Sequence, residues 1–172
     1  GASSDIGLSI MSIYYKKNYD ILAHYNTGNK KFFKYTKNKK IKTVKFNFLT
    51  SNKKIHNFTK RKDFKNCDIL INASAYIKEI SFKNVKIKDI EEIFKVNFYP
   101  YLLLMQNIGF EMNKKKWGRI VNLGSIGVKF GGGLNNFPYS LSKFILEFFP
   151  SQTKSWVKNC LLYTSPSPRD DE

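Results

Sequence analysis

The sequence predicts an α/β fold, a doubly wound parallel sheet with helices on both faces in a three-layer α/β/α arrangement. Three observations predict it. Short strand-like runs alternate with stretches of helical spacing, the order that parallel β-α-β units need. One run, Asp68 to Asn72 (Asp-Ile-Leu-Ile-Asn), has a continuous apolar centre, as expected of a central strand buried on both faces. The chain also opens on small residues, Gly1 to Gly7 (Gly-Ala-Ser-Ser-Asp-Ile-Gly), directly before a helical stretch. At 172 residues, 42% apolar and 16% aromatic, it has the material for one core.

Taken in order, Ile10, Ile13 and Tyr14 recur at helical spacing, and Lys16, Lys17 and Asn18 close that helix. Asp20 to Tyr25 is a short strand and Asn26 to Asn29 a turn. Lys30 to Lys40 is polar and basic, a helix or a loop. Thr43 to Leu49 alternates as a strand, and Thr50 to Lys62 is a weak surface helix. After the strand at 68–72, Lys88 to Asn107 reads as one long helix broken only by Pro100. Ile120 to Leu123 is a buried strand ended by Gly124, Ser125 and Gly127, and a further apolar helix starts near Tyr139. The stretch 160–172 differs in style, with two of the five prolines, one of the three arginines and no lysine. It is set aside as a non-native or disordered tail, leaving residues 1–159 as one domain.

The formal net charge is +17, concentrated where residues 30–65 hold 13 lysines and Arg61 against the single acid Asp63. A nucleic-acid surface is one reading. Biased residue usage is the other: lysine, asparagine, isoleucine, phenylalanine and tyrosine are all abundant. Three arginines in the whole chain are few for specific base recognition. The longest apolar run, Phe98 to Met105, contains Pro100 and falls short of a membrane span. The chain does not open on a basic-then-apolar leader, and its two cysteines, Cys67 and Cys160, make no disulfide framework, so a cytoplasmic setting is expected. His24 and His56 lack companions at metal-ligand spacing, and no metal is expected.

Tyr139 and Lys143 stand four apart at the start of the last helix. With 10 tyrosines and 27 lysines, chance alone supplies roughly 1.6 such pairs. Two occur, and the other, Tyr35 and Lys39, has no strand or serine before it. The weight therefore lies in the context. Ser125 is 14 residues before Tyr139, at the carboxyl end of a strand, the edge where open parallel sheets bind ligands. The opening loop and the helix N-terminus after it suit an anion. Asn72-Ala73-Ser74-Ala75 ends the central strand in small residues, and Asn97 adds a polar group midway along an apolar helix. Two readings stand for several of these positions: Ser125 as a catalytic hydroxyl or a cap, Asn97 as a functional or an ordinary helix polar residue, and Gly131 to Gly133 as a substrate-side or a plain loop.

Together these residues resemble the short-chain dehydrogenase/reductase family, over about residues 1–159. Gly1, Ile6 and Gly7 match the family's opening Thr-Gly-x-x-x-Gly-Ile-Gly, with Asp5 in place of the middle glycine. Asn72 alone matches the first position of Asn-Asn-Ala-Gly. Asn97, Ser125, Tyr139 and Lys143 match the four catalytic positions in order. The resemblance implies a Rossmann-like fold and an NAD(P)-dependent oxidoreductase acting on a small-molecule carbonyl/alcohol pair. It implies Tyr139 as general acid/base, Ser125 bonding the substrate oxygen, and Asn97 supporting a water. Lys143 would favour the phenolate, since a free phenol ionises only near pH ~10, and would hold the nicotinamide ribose. It implies Gly1, Ser3, Ser4, Asp5, Ile6, Gly7, Tyr25, Asn26, Asn72, Ala73 and Ser74 as cofactor-binding, with Tyr139 and Lys143.

The second strand ends Tyr25-Asn26-Thr27 with no acid to bind ribose hydroxyls, and Lys30 and Lys31 follow, so NADP is expected over NAD. The resemblance also implies a strand before Gly1 and further elements after the tyrosine helix, so that the chain reads as a fragment and is expected to be unstable alone. It implies a homo-oligomer, dimer or tetramer, through the helices carrying Asn97 and Tyr139, and neither nucleic acid nor membrane as partner. The alternatives are a basic nucleic-acid-binding module and a family member without catalysis.

Overall fold

The computed structural model describes residues 1–148, Thr153 and the backbone of 161–164. It divides into two compact units, Gly1–Phe48 and Leu49–Glu172, where the sequence predicts one body. Strand pairing accounts for the division: the first unit holds a two-stranded sheet, the second a three-stranded one, and among the described residues no ladder joins them. All pairings are parallel, as expected.

In the first unit, α1 (Asp5–Lys16) starts at Ser4, whose hydroxyl accepts from the Gly7 N–H at 3.1 Å. β1 (Ile21–Tyr25) pairs with β2 (Ile41–Lys45), with Ile21 opposite Ile41. The strand expected at Thr43 to Leu49 thus begins two residues earlier and ends at Lys45. Ile41, 4% exposed, is needed in the core beside Leu8, Met11, Ala23 and Phe32, and that need overrides the apparent alternation further on. The ambiguous basic stretch resolves as α2 (Lys30–Tyr35), capped by the Asn29 side chain on the Phe32 N–H at 2.8 Å.

In the second unit, α3 (Asn52–Thr59) is capped by Ser51 and buries Ile55 and Phe58. β3 (Ile69–Asn72) pairs with β4 (Gly118–Asn122), which pairs in turn with β5 (Leu161–Thr164). β3 departs from the expected two-sided burial: Ile69, Leu70 and Ile71 are only half-buried, because β4 is its one strand partner among the described residues. β5 lies inside the stretch set aside at Cys160. Leu-Leu-Tyr-Thr is a strand-forming tetrapeptide whatever the composition around it.

The long helix is two, α4 (Ile87–Asn97) and α5 (Tyr99–Lys115), broken at Phe98, whose φ of −127° leaves the helical region. Pro100 lies in the first turn of α5, where its missing N–H leaves no helical bond unmade. The break therefore precedes the proline. α5 packs on α3, α4 and β4, and α6 (Phe137–Phe144) packs on α4. Ile93, Tyr101, Leu104, Ile108, Met112, Ile120 and Leu146 form the buried interior of this unit.

Candidate active site

Within the second unit, the carboxyl ends of β3 and β4 are in register, Asn72 opposite Asn122. Both amides are buried, and Asn72 Nδ2 donates to Asn122 Oδ1 at 2.7 Å. This bond fixes side by side the two chain exits that matter, Ala73–Ser74 and Leu123–Ser125. Lys143 reaches the second exit from α6: its Nζ donates to the Leu123 carbonyl at 2.9 Å. The ammonium also lies 5.9 Å from the Tyr139 ring centroid and 5.4 Å from that of Tyr101. Lys143 is 2% exposed, and burial pushes its pKa down to about 8.

Asn97 is fully buried at the end of α4, and its amide is heavily committed. Oδ1 accepts from the Tyr76 N–H at 2.7 Å, while Nδ2 donates to the Tyr76 carbonyl and to Ser142 Oγ, each at 3.0 Å. Ser142 in turn donates to the Tyr139 carbonyl at 2.6 Å. With both Nδ2 hydrogens used, the side chain can offer a water only its remaining oxygen lone pair. Ser125 begins a 3-10 turn, Ile126–Phe130, and its hydroxyl accepts from the Gly127 N–H at 3.3 Å. It is therefore a cap, and a hydroxyl that accepts in this way still has a proton to give. A Cβ on Gly127 would sit 3.5 Å from both Ser125 Oγ and Ser140 Oγ, so the serine lies beside the residue preceding Leu141 on the Tyr139 helix. The glycine loop is ordered against the same helix: Gly132 has φ +84°, donates to the Gly127 carbonyl at 2.7 Å, and has no room for a Cβ against Ser140.

The remaining expected cofactor residues lie together in the first unit. Ser3 Oγ donates to the Thr27 carbonyl at 2.7 Å, and Asn29 Nδ2 donates to the Ser3 carbonyl at 3.2 Å, tying the opening loop to the end of β1. Ser4 Oγ donates to the Gly1 carbonyl at 2.9 Å. A Cβ on Gly7 would fall 2.2 Å from the Gly1 oxygen, so the loop closes on the helix in a way only glycine permits. The first N–H groups of α1 have no partner inside the helix, which fits an anionic group there. Asp5 is exposed in that same first turn and brings a negative charge to it. Tyr25 packs its ring against Phe32 and Phe33, while Asn26, Lys30 and Lys31 are exposed.

Tyr101 and Ser142 are contacts the sequence reading misses. Tyr101 is 1% exposed, and its hydroxyl donates to the Ser74 carbonyl. The available signal was a tyrosine one helical turn past Asn97 in an otherwise apolar run. His24 is structural, its ring 4.7 Å from that of Phe48 and its Nε2 3.0 Å from the Phe46 carbonyl. Among the described residues no group of three or more His, Cys, Asp or Glu could hold a metal, and no helix is long and apolar enough to cross a membrane.

A family model of short chain dehydrogenases matches residues 1–158. The chain belongs to this family. The 3-oxoacyl-(acyl-carrier-protein) reductase FabG of Aquifex aeolicus is 33% identical over 102 residues, 59% of this chain and 41% of that protein. A peroxisomal hydratase-dehydrogenase-epimerase of Neurospora crassa is 33% identical over 101 residues, 59% of this chain and 11% of that protein. The matches thus span 41% and 11% of these curated relatives. Among solved structures, a short-chain dehydrogenase from Streptomyces avermitilis superposes with a TM-score of 0.80 at 16% identity, covering 96% of this chain and 62% of that one. A 4-hydroxyisoleucine dehydrogenase complexed with NADH gives 0.78 at 21%, covering 97% and 72%. A putative gluconate 5-dehydrogenase from Beutenbergia cavernae with bound NADP gives 0.77 at 22%, covering 94% and 66%. These likenesses establish the Rossmann fold.

Proposed function

We propose that this chain carries the catalytic part of an NAD(P)-dependent oxidoreductase that interconverts a carbonyl and an alcohol. The observation that carries the proposal is the Lys143 ammonium, buried at the Leu123 carbonyl with the Tyr139 ring beside it. A buried cation is costly to keep unless it has a use, and here it lies one helical turn from a phenol at the carboxyl edge of a parallel sheet.

When bound, the nicotinamide supplies or accepts the hydride; every other part falls to this chain. Tyr139 gives a proton to the carbonyl oxygen in reduction, or takes one from the alcohol in oxidation. Ser125 donates its hydroxyl proton in a hydrogen bond to that same oxygen. Lys143 stabilises the phenolate left on Tyr139, and its ammonium has donors beyond the one used at Leu123 for a ribose hydroxyl. Asn97 holds the loop at Tyr76 and the helix at Ser142 in place, and any water near it rests on its remaining lone pair. Asn72, Ala73 and Ser74 line the nicotinamide side. In the first unit, Gly1, Ser3, Ser4, Asp5, Ile6 and Gly7 form the phosphate loop, with Tyr25 and Asn26 on the adenosine side. Lys30 and Lys31, with no acid at the end of β1, favour NADP.

The relative named for 3-oxoacyl-carrier substrates makes a 3-oxoacyl thioester the first probe to try. Tyr139→Phe in the intact protein should lower NADPH-dependent reduction of acetoacetyl-CoA at least about a hundredfold while leaving NADPH binding measurable. Retention of activity in that variant overturns the assignment. Tighter binding of NADH than of NADPH, by titration, overturns the cofactor preference alone. A cytoplasmic homo-oligomer is proposed on the same footing, with the exposed Phe144 and Phe148 as its apolar contact; Phe149 lies outside the described residues.

A further inference from the structure

The junction between α4 and α5 holds the β3 exit at two points. Asn97, the last residue of α4, bonds both main-chain groups of Tyr76. Tyr101, four residues later and across the Phe98 break, donates its hydroxyl to the Ser74 carbonyl. The same junction also grips α6 at two points: Asn97 bonds Ser142, and the Tyr101 ring lies 5.4 Å from the Lys143 ammonium. Tyr101 thus touches both the loop proposed to line the nicotinamide and the lysine proposed to hold its ribose. Nothing in its burial requires a tyrosine. At 1% exposure a leucine or phenylalanine would fill the interior without bringing in a hydroxyl that needs a partner.

We propose that Tyr101 is a positioning residue, which sets the Ser74 carbonyl with its hydroxyl and steadies the Lys143 ammonium with its ring. Resting on the oxidoreductase reading above, this deepens it. The two halves of the side chain do separable work. The hydroxyl fixes the backbone just after β3, where freedom would blur the cofactor pocket. The ring presents its electron-rich face to a cation cut off from water, which otherwise has the Leu123 carbonyl and the flank of Tyr139. Burial, then the neighbouring Tyr139, push the Tyr101 phenol far above its ordinary range. It therefore stays a neutral donor at every working pH and does not compete with Tyr139 as acid or base.

Two variants separate the halves: Tyr101→Phe keeps the ring and removes the hydroxyl, and Tyr101→Leu removes both. In the intact protein, three readouts are taken: NADPH affinity by titration, hydrogen exchange of the peptide containing residues 73–76, and kcat with acetoacetyl-CoA. Tyr101→Phe should weaken NADPH about tenfold and speed exchange in that peptide, with the main effect on KM for NADPH. Tyr101→Leu should do the same and in addition lower kcat about tenfold below the phenylalanine variant. Phenylalanine thus restores kcat but not affinity. The proposal is overturned if Tyr101→Phe matches wild type in affinity and exchange. It is equally overturned if both variants lose affinity, kcat and melting temperature in parallel, as a purely structural residue would. If wild type itself neither binds NADPH or NADH nor reduces the thioester, the oxidoreductase reading fails first and this proposal with it.

Discussion

Lys143 is 2% exposed, with a pKa pulled down to about 8 by desolvation from an ordinary 10.5. The unfolded chain holds the proton up to pH 10.5, the folded one only up to about 8, so stability rises with pH between these values and is at its lower plateau below them. The buried ammonium therefore weakens the fold at neutral pH by about 3 kcal/mol, a burden that packing does not explain and the role proposed for it beside Tyr139 would. Lys143→Met, similar in length and apolar, should abolish carbonyl reduction and yet raise the melting temperature at pH ~7 by about 5 °C or more. The gain over wild type should shrink as pH rises from 8 toward 10.5. Calorimetry across that range checks it, and a variant less stable than wild type at neutral pH contradicts it. At this scale the sequence was only partly legible. Asn97, Ser125, Tyr139 and Lys143 were singled out because their order matches the family's motif residues. The hydrogen bonds that occupy Asn97 and the contacts of Tyr101 link residues 27 and 45 positions apart, which no local pattern encodes.

Among the elements, the N-terminus of α1 is the most exacting. Gly7 has the Gly1 carbonyl 2.2 Å from where a Cβ would be, and the obstacle is backbone, which cannot swing aside. Gly7→Ala should lower stability by about 2 kcal/mol, read as a fall in melting temperature, and weaken NADPH as the loop shifts. Asp5 acts in the opposite sense. Its carboxylate in the first turn stabilises the helix through the dipole, worth a few tenths of a kcal/mol, but would repel the phosphate proposed at that same end. Asp5→Gly should therefore bind NADPH several-fold more tightly while melting slightly lower; unchanged or weaker binding by titration contradicts the placing of a phosphate there. The elements themselves were mostly readable where one period dominated. β1, β3 and β4 came from apolar runs, α1 from helical spacing and α6 from the apolar stretch after Tyr139. The errors fell where tertiary demands competed with local pattern. Ile41 drew β2 two residues earlier into the core, and the geometry before Pro100 moved the helix break to Phe98. Leu161–Thr164 was discarded for the company it keeps and pairs with β4 all the same.

For the whole molecule the open question of the sequence was the net charge of +17. Unit by unit, the basic side chains are surface features. Lys30, Lys31, Lys34, Lys42 and Lys45 are exposed in the first unit, and Lys53, Lys54, Lys60, Lys62 and Lys65 in the second. Arg61 is engaged locally, paired with Asp63 at 2.6 Å and lying over the Phe58 and Phe64 rings. It is thus spoken for as a bidentate base reader, and few arginines stand in for it. Such a surface attracts duplex DNA through counterion release alone, without reading sequence. Binding to random and to any selected duplex should then be equally weak, with Kd of about 1 µM or higher near physiological salt and a steep loss as salt rises. NADPH, held as proposed on a few fixed contacts, should lose far less affinity over the same range. Parallel titrations of duplex DNA and NADPH against salt separate the two readings of the charge. Nanomolar, sequence-selective DNA binding that survives at about 0.15 M salt, together with no NADPH binding, would mean that the lysines are the function and the buried Lys143 site a relic. A steep salt slope for DNA beside a shallow one for NADPH assigns the charge to solvation and the chemistry to the edge of β3 and β4.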